Sequence, residues 1–524
     1  MVKAFLASIG LPVLVGLVLS LLIERLLQPG IQPLRQRRLA ALVLHGGLYL
    51  LVFALELALF RRPWFAAIMV LTLLMVLVLV NNAKYQTLRE PFIFQDFEYF
   101  VDTLRHPRLY LPFFGLGKAL LATAVFLLSL FAGMQLEAPL TDTMPAVTVF
   151  LGWGTLMLTG LVLLAAGAIR KLPVTFDPAR DISTLGLLAS LWRYAEEERR
   201  RPSFQSPFTQ LHTVPSRTTL CPHLVVVQSE SFFDPRPIFG GIRPEVLKNI
   251  DALNALSMCH GKLRVPAWGA NTVRTEFAFL SGLAEEQLGV HRFNPYRQMA
   301  RVGIPNLASV LKDLGYRTVC VHPYPAGFYS RDKVFPLLGF DTFIDIRAFA
   351  EAQKSGPYVG DIALVEKVCS LLGETSGQPI FVFIITMENH GPLHWEKVAP
   401  DDEERLYSSP LPEGCEDLTI YLRHLRNADH MAGMLHDRLA ALPTPAWLCW
   451  FGDHVPIMPQ VYETLGLPDG RTNYLIWRNN GDGRKEKRVE RKVEDLGQVL
   501  LAEMGLIREP KVEEPARNRS PGTF

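Results

Sequence analysis

Several stretches of this chain end in side chains that could bind a cation or move a proton. Glu230 closes "HLVVVQSE", Asp453 and His454 close "AWLCWFGDH", His322 stands in "YRTVCVHPY", and Asn389 and His390 end "PIFVFIITMENH". Two carboxylates and an imidazole form a hard-to-borderline donor set suited to one divalent ion such as Mn²⁺, Mg²⁺ or Zn²⁺. An Asp-His pair after a strand is also an ordinary turn or cap, so spacing alone leaves both readings open. A candidate nucleophile stands in "VPAWGANTVRTEFAFLSGL". Gly269 loosens the backbone there, Asn271 and Thr272 are N-cap types, and Phe277, Leu280 and Leu283 follow at helical spacing. Thr272 is therefore expected at the mouth of a helix. Helix N-termini bind phosphate, and a hydroxyl held there beside a divalent cation loses its proton more readily. A Thr272 that only caps the helix fits the same pattern.

These residues are far apart in sequence, so a scaffold must bring them together. In the C-terminal half short apolar runs alternate with helical patterns, which predicts an α/β fold with a largely parallel central sheet. "NYLIW" is a further strand, and helices are expected over 244–256, 304–314 and 416–442. In open sheets of this kind ligands bind outside the carboxyl ends of the strands, where Glu230, His322, His390, Asp453 and His454 would share one rim.

The N-terminal half reads differently. The chain has 524 residues, is 49% hydrophobic and has a mean hydropathy of +0.18, with the apolar excess lying before Lys171. Five stretches nearly free of charge, 4–23, 40–60, 64–80, 114–134 and 146–169, each have the length of a bilayer-spanning helix. The first lacks the short apolar core and cleavage site of a signal peptide. With five spans the two ends of this region lie on opposite sides of the membrane. Loop charge disfavours an external C-terminal domain: Arg25, Arg35, Arg37, Arg38, Lys84, Arg89, Arg105, Arg108 and Lys118 would all be outside. The aromatic and charged segment between spans three and four reads as an interfacial piece or as a plain loop.

The expected organisation is a five-helix transmembrane region over 1–170, a linker with a helix near 184–199 over 171–219, a catalytic domain over 220–507 and a disordered Pro-rich tail over 508–524. A net charge of +2 without a basic stripe gives no reason to expect nucleic acid. The six cysteines are scattered without C-x-x-C spacing, so neither a zinc cluster nor a redox motif is expected.

Taken together, "QSESFFD", "GANTVRTEF", "FYSRD", "TMENHGP" and "FGDHVP" occur in the order seen in lipoteichoic acid synthase-like phosphoglycerol transferases, of the alkaline phosphatase and sulfatase superfamily. The resemblance spans about residues 220–480, and the five-span half also resembles the membrane part of that family. It implies that Glu230, Thr272, Asp453 and His454 hold one divalent metal, usually manganese or magnesium, with Thr272 also the nucleophile. It implies that Tyr329, Arg331 and His390 hold a phosphoglycerol head group, and that the catalytic domain is extracytoplasmic, against the loop charges. The chain departs from many relatives in carrying Asn271 where they have Lys, and Val273-Arg274 where they have small polar residues. Arg274 is expected either to meet substrate phosphate or to cover the surface. The C-x-P-x-R signature of formylglycine sulfatases is absent. The expected activity is transfer of phosphoglycerol from phosphatidylglycerol, through a phosphothreonine, to a cell-envelope glycan or polymer, with His390 handling a proton. Phosphoethanolamine transfer and a non-catalytic lipid sensor are the alternatives.

Overall fold

The computed structural model describes residues 2–98, 116–200, 204–210, 221–298, 303–349, 354–374, 377–481 and 487–507. The expected tail over 508–524, the end of the linker and most of the segment before the fourth span lie outside them. The chain divides into two compact units, Met1–Arg201 and Pro202–Phe524.

In the first unit, long helices cover Val2–Ile23, Leu39–Phe60, Pro63–Leu88, Leu116–Leu136 and Ala146–Ile169. Four of them, the helices that begin at Val2, Leu39, Pro63 and Ala146, are among the described residues long and apolar enough to cross a membrane. The third runs past the apolar stretch that marks it, through Asn81, Asn82 and Lys84. Asn81 and Asn82 there bond the Leu26 and Gln28 carbonyls, and Lys84 pairs with Glu90 and Asp96 at 2.7 Å each. The helices Leu39–Phe60 and Ala146–Ile169 meet through glycines. A Cβ on Gly47 would stand 2.7 Å from the Leu164 nitrogen, and one on Gly167 would stand 2.6 Å from Leu44. Small residues let apolar helices approach where no hydrophobic effect drives them together. Glu24 is fully buried among Arg37 Nη1 at 2.9 Å, the Leu188 N–H at 3.2 Å and His45 Nδ1 at 3.3 Å. The helix expected near 184–199 is two, Pro178–Leu185 and Leu187–Glu198, broken at Gly186 with φ +84°.

The second unit is built on a nine-stranded sheet. Its strands are β1 (His223–Ser229), β2 (Cys259–Arg264), β3 (Arg317–Val321), β4 (Thr342–Ile344), β7 (Ile380–Ile385), β8 (Ala446–Gly452), β9 (Thr472–Arg478), β10 (Lys487–Arg488) and β11 (Arg491–Lys492), while β5 (Lys354–Ser355) and β6 (Tyr358–Val359) form a separate hairpin. The order is β10-β2-β9-β8-β1-β7-β3-β4, with β11 also on β2. The strands β8, β1, β7, β3 and β4 run parallel, and β9 is antiparallel to both β8 and β2. β1, β7 and β8 are buried along their whole length, which is why they read as unbroken apolar runs. Alternate residues of β1 enter opposite cores. Val225 and Val227 pack with the helices Asp361–Gly373 and Glu416–Ala440, and Leu224 and Val226 pack with Thr272–Ser281 and Val493–Glu503. Helices on both faces of a parallel sheet leave one open rim, at the carboxyl ends of its strands.

Candidate active site

The parallel order puts the exits of β1 and β8 side by side, Ser229 being in register with Gly452. Their approach requires glycine at position 452, where a Cβ would lie 1.8 Å from the Phe232 carbonyl oxygen. Asp453 and Glu230 follow. The Ser231 N–H donates to Asp453 Oδ1 at 2.8 Å, and the Glu230 N–H donates to Thr386 Oγ1 at 2.9 Å, which ties β1 to β7 as well. Ser231 turns the chain in the left-handed region, φ +53°, so that its hydroxyl can donate to Glu230 Oε1 at 3.0 Å.

Glu230, Asp453 and His454 each present one ligand atom, all within 4.8 Å of one another and buried. His454 Nε2 stands 3.5 Å from Glu230 Oε1 and 3.4 Å from Asp453 Oδ2. Its Nδ1 lies 3.1 Å from the Val455 carbonyl, which can only accept, so Nδ1 carries the proton and Nε2 keeps its lone pair. Asp453 Oδ2 and His454 Nε2 are buried and have no hydrogen-bond partner. Burial, and then the charge of Asp453, push the Glu230 carboxyl up to about 8. Carboxylates crowded out of water with an imidazole lone pair aimed among them fit a divalent cation.

Thr272 is the first residue of the helix Thr272–Ser281 and lines one cavity with Glu230, Tyr329, Arg331 and His390. It is not the N-cap. Asn271 holds that place in the left-handed region, φ +66°, and its side chain makes no capping bond. That leaves the Thr272 side chain without the capping role that its residue type also suggested. The same helix is pinned to the metal-ligand loop by Thr275, whose hydroxyl donates to the Asp453 carbonyl at 2.7 Å. Arg274 is buried, with Nε 3.4 Å from the Phe293 carbonyl and its guanidinium 5.1 Å from the Phe293 ring centre. It is therefore not a surface cover.

Tyr329 and Ser330 are both left-handed, φ +55° and +54°, immediately before the helix Arg331–Leu337. Two such non-glycine residues in succession are costly and cluster at functional sites. They deliver Arg331 into the cavity wall at 1% exposure, its guanidinium 5.2 Å from the Tyr329 ring centre. Arg331 is also gripped by Glu276, with Nε to Oε1 at 3.2 Å and Nη2 to Oε2 at 2.9 Å, while Nη1 lies 3.3 Å from His322 Nε2. His322 Nδ1 bonds the Ile385 carbonyl at 3.0 Å, so Nε2 is free to accept, and burial and then Arg331 hold this imidazole well below the usual histidine range. His390 Nδ1 similarly bonds the Gly391 carbonyl at 2.8 Å, which turns Nε2 into the basic nitrogen, and burial lowers its pKa.

Sequence reasoning found Glu230, Thr272, Tyr329, Arg331, His390, Asp453 and His454 as single positions, and the fold gathers them into one cluster that could hold a metal ion and one adjoining cavity. It missed Glu276 and gave His322 no role. The available signal was spacing, since Glu276 stands four residues after Thr272 and so on the same side of its helix.

The model of the family described as "Sulfatase" matches residues 222–506. The capsular polysaccharide biosynthesis protein RkpI of Rhizobium meliloti is 28% identical over 450 residues, covering 81% of this chain and 79% of its own. Among solved structures, the integral membrane lipooligosaccharide phosphoethanolamine transferase A of Neisseria meningitidis superposes with a TM-score of 0.54 at 12% identity, over 91% of this chain and 97% of its own. The phosphoglycerol transferase GacH of Streptococcus pyogenes, in complex with sn-glycerol-1-phosphate, gives a TM-score of 0.45 at 21% identity, over 54% of this chain and 75% of its own.

Proposed function

The chain belongs to the sulfatase family, within the alkaline phosphatase superfamily, and we propose that it is a membrane-anchored, metal-dependent transferase that moves phosphoglycerol from phosphatidylglycerol to a cell-envelope glycan or polymer. One observation carries the choice of head group. Of the described residues that line the Thr272 cavity, Glu230 alone is a carboxylate, and it belongs to the candidate metal-ligand cluster. An ethanolamine ammonium would enter with no uncommitted acid to meet it, at the cost of an unpaired buried charge, whereas glycerol hydroxyls need only hydrogen-bond partners.

In this reading Glu230, Asp453, His454 and Thr272 hold the ion, Mn²⁺ by preference for this oxygen-rich set, with Mg²⁺ or Zn²⁺ as other occupants. When bound, it supplies positive charge that favours the Thr272 alkoxide and offsets the anionic phosphoryl oxygens. Thr272 Oγ, having given up its proton, attacks phosphorus, the Oγ–P bond forms, and the bond to the diacylglycerol oxygen breaks as that oxygen takes a proton from protonated His390 Nε2. The N-terminus of the Thr272 helix and the Arg331 guanidinium stabilise the oxygens on which charge develops. In the second half an acceptor hydroxyl gives its proton to His390 Nε2 and its oxygen displaces Thr272 from phosphorus. The name of the rhizobial relative, a capsular polysaccharide biosynthesis protein, supports a glycan acceptor.

The membrane unit tethers the catalytic unit, on one chain, to the bilayer that holds its lipid donor. With Leu116–Leu136 as the fifth span, the catalytic unit lies outside if Met1 is cytoplasmic, as the family resemblance implies. Labelling of single cysteines introduced in the catalytic unit of intact cells tests that orientation.

Intact-protein and peptide mass spectrometry after incubation with Mn²⁺ and either phosphatidylglycerol or phosphatidylethanolamine tests the activity. A phosphoglycerol adduct on the Thr272 peptide is the expected result. A phosphoethanolamine adduct would reassign the donor, and no adduct with no diacylglycerol released would leave a lipid sensor.

A further inference from the structure

We infer that Glu276 is a positioning residue: it fixes the Arg331 guanidinium against the very helix that carries the nucleophile, so that nucleophile and phosphate-binding group move as one body. The inference rests on the proposed reading of Thr272 and Arg331, and goes beyond it in giving a role to a buried acid that neither touches substrate nor holds metal.

The geometry is unusual for an arginine expected to meet substrate. Arg331 is 1% exposed and Glu276 is fully buried, and the two meet through both carboxylate oxygens. A bidentate pair removes both rotational freedom and alternative partners from a guanidinium. Glu276 Oε1, which accepts from Arg331 Nε, also accepts from the Tyr296 hydroxyl, and Tyr296 sits in the helix Pro295–Gln298. The third arm of Arg331 is set by His322 at the end of β3. Glu276 lies one helical turn from Thr272, so its carboxylate and the nucleophile share a rigid element, while Arg331 arrives from a separate loop through two left-handed residues. The Glu276 carboxylate bonds the guanidinium through both of its oxygens and so aims it at the cavity.

The arrangement also sets the charge of the site. A plain arginine would bring one full positive charge to the cavity, but here Glu276 balances it inside the protein. Arg331 is then a source of oriented N–H donors rather than net charge, which favours binding a phosphoryl group in one orientation over strong retention of any anion.

The test uses the full-length detergent-solubilised protein loaded with Mn²⁺ in five forms: unaltered, E276Q, R331A, the double variant and Y296F. Diacylglycerol release from phosphatidylglycerol gives kcat and KM, and calorimetry gives the affinity for sn-glycerol phosphate independently of turnover. Expected is a loss in kcat/KM of about 10²-fold for E276Q, the scale of a misplaced catalytic contact, with bound Mn²⁺ unchanged. R331A should lose at least as much, and the double variant should be no worse than R331A, because Glu276 acts only through Arg331. Y296F should give a smaller loss of the same kind. The inference is overturned if E276Q stays within about 2-fold of the unaltered protein, or if the two losses multiply in the double variant. Should E276Q fail to fold, Y296F decides: unchanged kcat/KM and glycerol-phosphate affinity would overturn the inference. Failure of the proposed function looks different, because the unaltered protein would then release no diacylglycerol. In that case a weaker glycerol-phosphate affinity in E276Q would still support the positioning role and an equal affinity would end it.

Discussion

Glu230 Oε1 and His454 Nε2 stand 3.5 Å apart at the ends of adjacent parallel strands, buried and too close to be left without a cation or a proton. Burial and Asp453 push Glu230 up to about 8, so between its ordinary range and that value the folded protein holds a proton that the unfolded chain has lost. Stability of the cation-free protein should therefore fall as pH rises through this window. A bound divalent ion replaces the proton and should flatten the fall. Glu230→Gln should lessen the slope, leaving the part that His424 contributes above about pH 6.5, and reduce bound metal at the same time. Thermal melts from pH 5 to 8, in EDTA and in Mn²⁺, check this, and a flat cation-free profile would count against a protonated Glu230.

Thr272→Ala should leave the fold intact, because Thr272 is the first helical residue and the backbone at Asn271, not the Thr272 side chain, sets the entry into the helix. A stability change within about 1 kcal/mol is expected. Transfer should fall by about 10³-fold or more, as for removal of a nucleophile, and the phosphoglycerol adduct should vanish. Retained turnover in this variant would remove the covalent mechanism.

Behind the His390 loop, His424 is clamped between Glu388 Oε1 and Glu396 Oε1, each at 2.9 Å. Burial opposes its charge, but the bonds to the two carboxylates outweigh it and push the imidazole up to about 9. Since this lies above the ordinary value of 6.5, the contribution is complete below that value and is lost as pH rises through about 9. His424→Ala leaves the buried Glu388 without its cationic partner, while Glu396 keeps its pair with Arg423 at 2.8 Å, and should cost about 3 kcal/mol at neutral pH. Denaturant unfolding of the two proteins at pH 6 and 9.5 should show the difference shrinking at the higher pH. Glu388 also accepts the Asp361 N–H at 2.6 Å, so the same variant should loosen the loop that carries His390.

Gly47→Val should damage the membrane unit. Its Cβ would lie 2.7 Å from backbone of the facing helix, which cannot step aside as a side chain can. Overpacking of this kind costs about 1–3 kcal/mol, read as a lower melting temperature of the full chain in detergent. Gly46→Val, next to it and with open space at its Cβ, should be far milder.

The sequence by itself determined much of this protein, because local patterns carry it. Unbroken apolar runs such as "HLVVV" and "IFVFII" identify strands buried on both faces, charge-free stretches identify the membrane helices, and polar residues closing the runs mark the rim where Glu230, His390, Asp453 and His454 gather. Tertiary structure decided what depends on pairs distant in sequence. The edge strands β10 and β11 are two residues each and exist only by pairing with β2, so no period announces them. The break at Gly186 and the extension of the third helix to Leu88 follow from contacts with Arg37, Gln28 and Phe92, beyond the reach of any local window. The partner of Arg331 stands 55 residues upstream, and only packing of the Thr272 helix against the loop after β3 brings Glu276 to it. A residue's type fixes which bonds it can make, but the chain's path fixes which of them it does make.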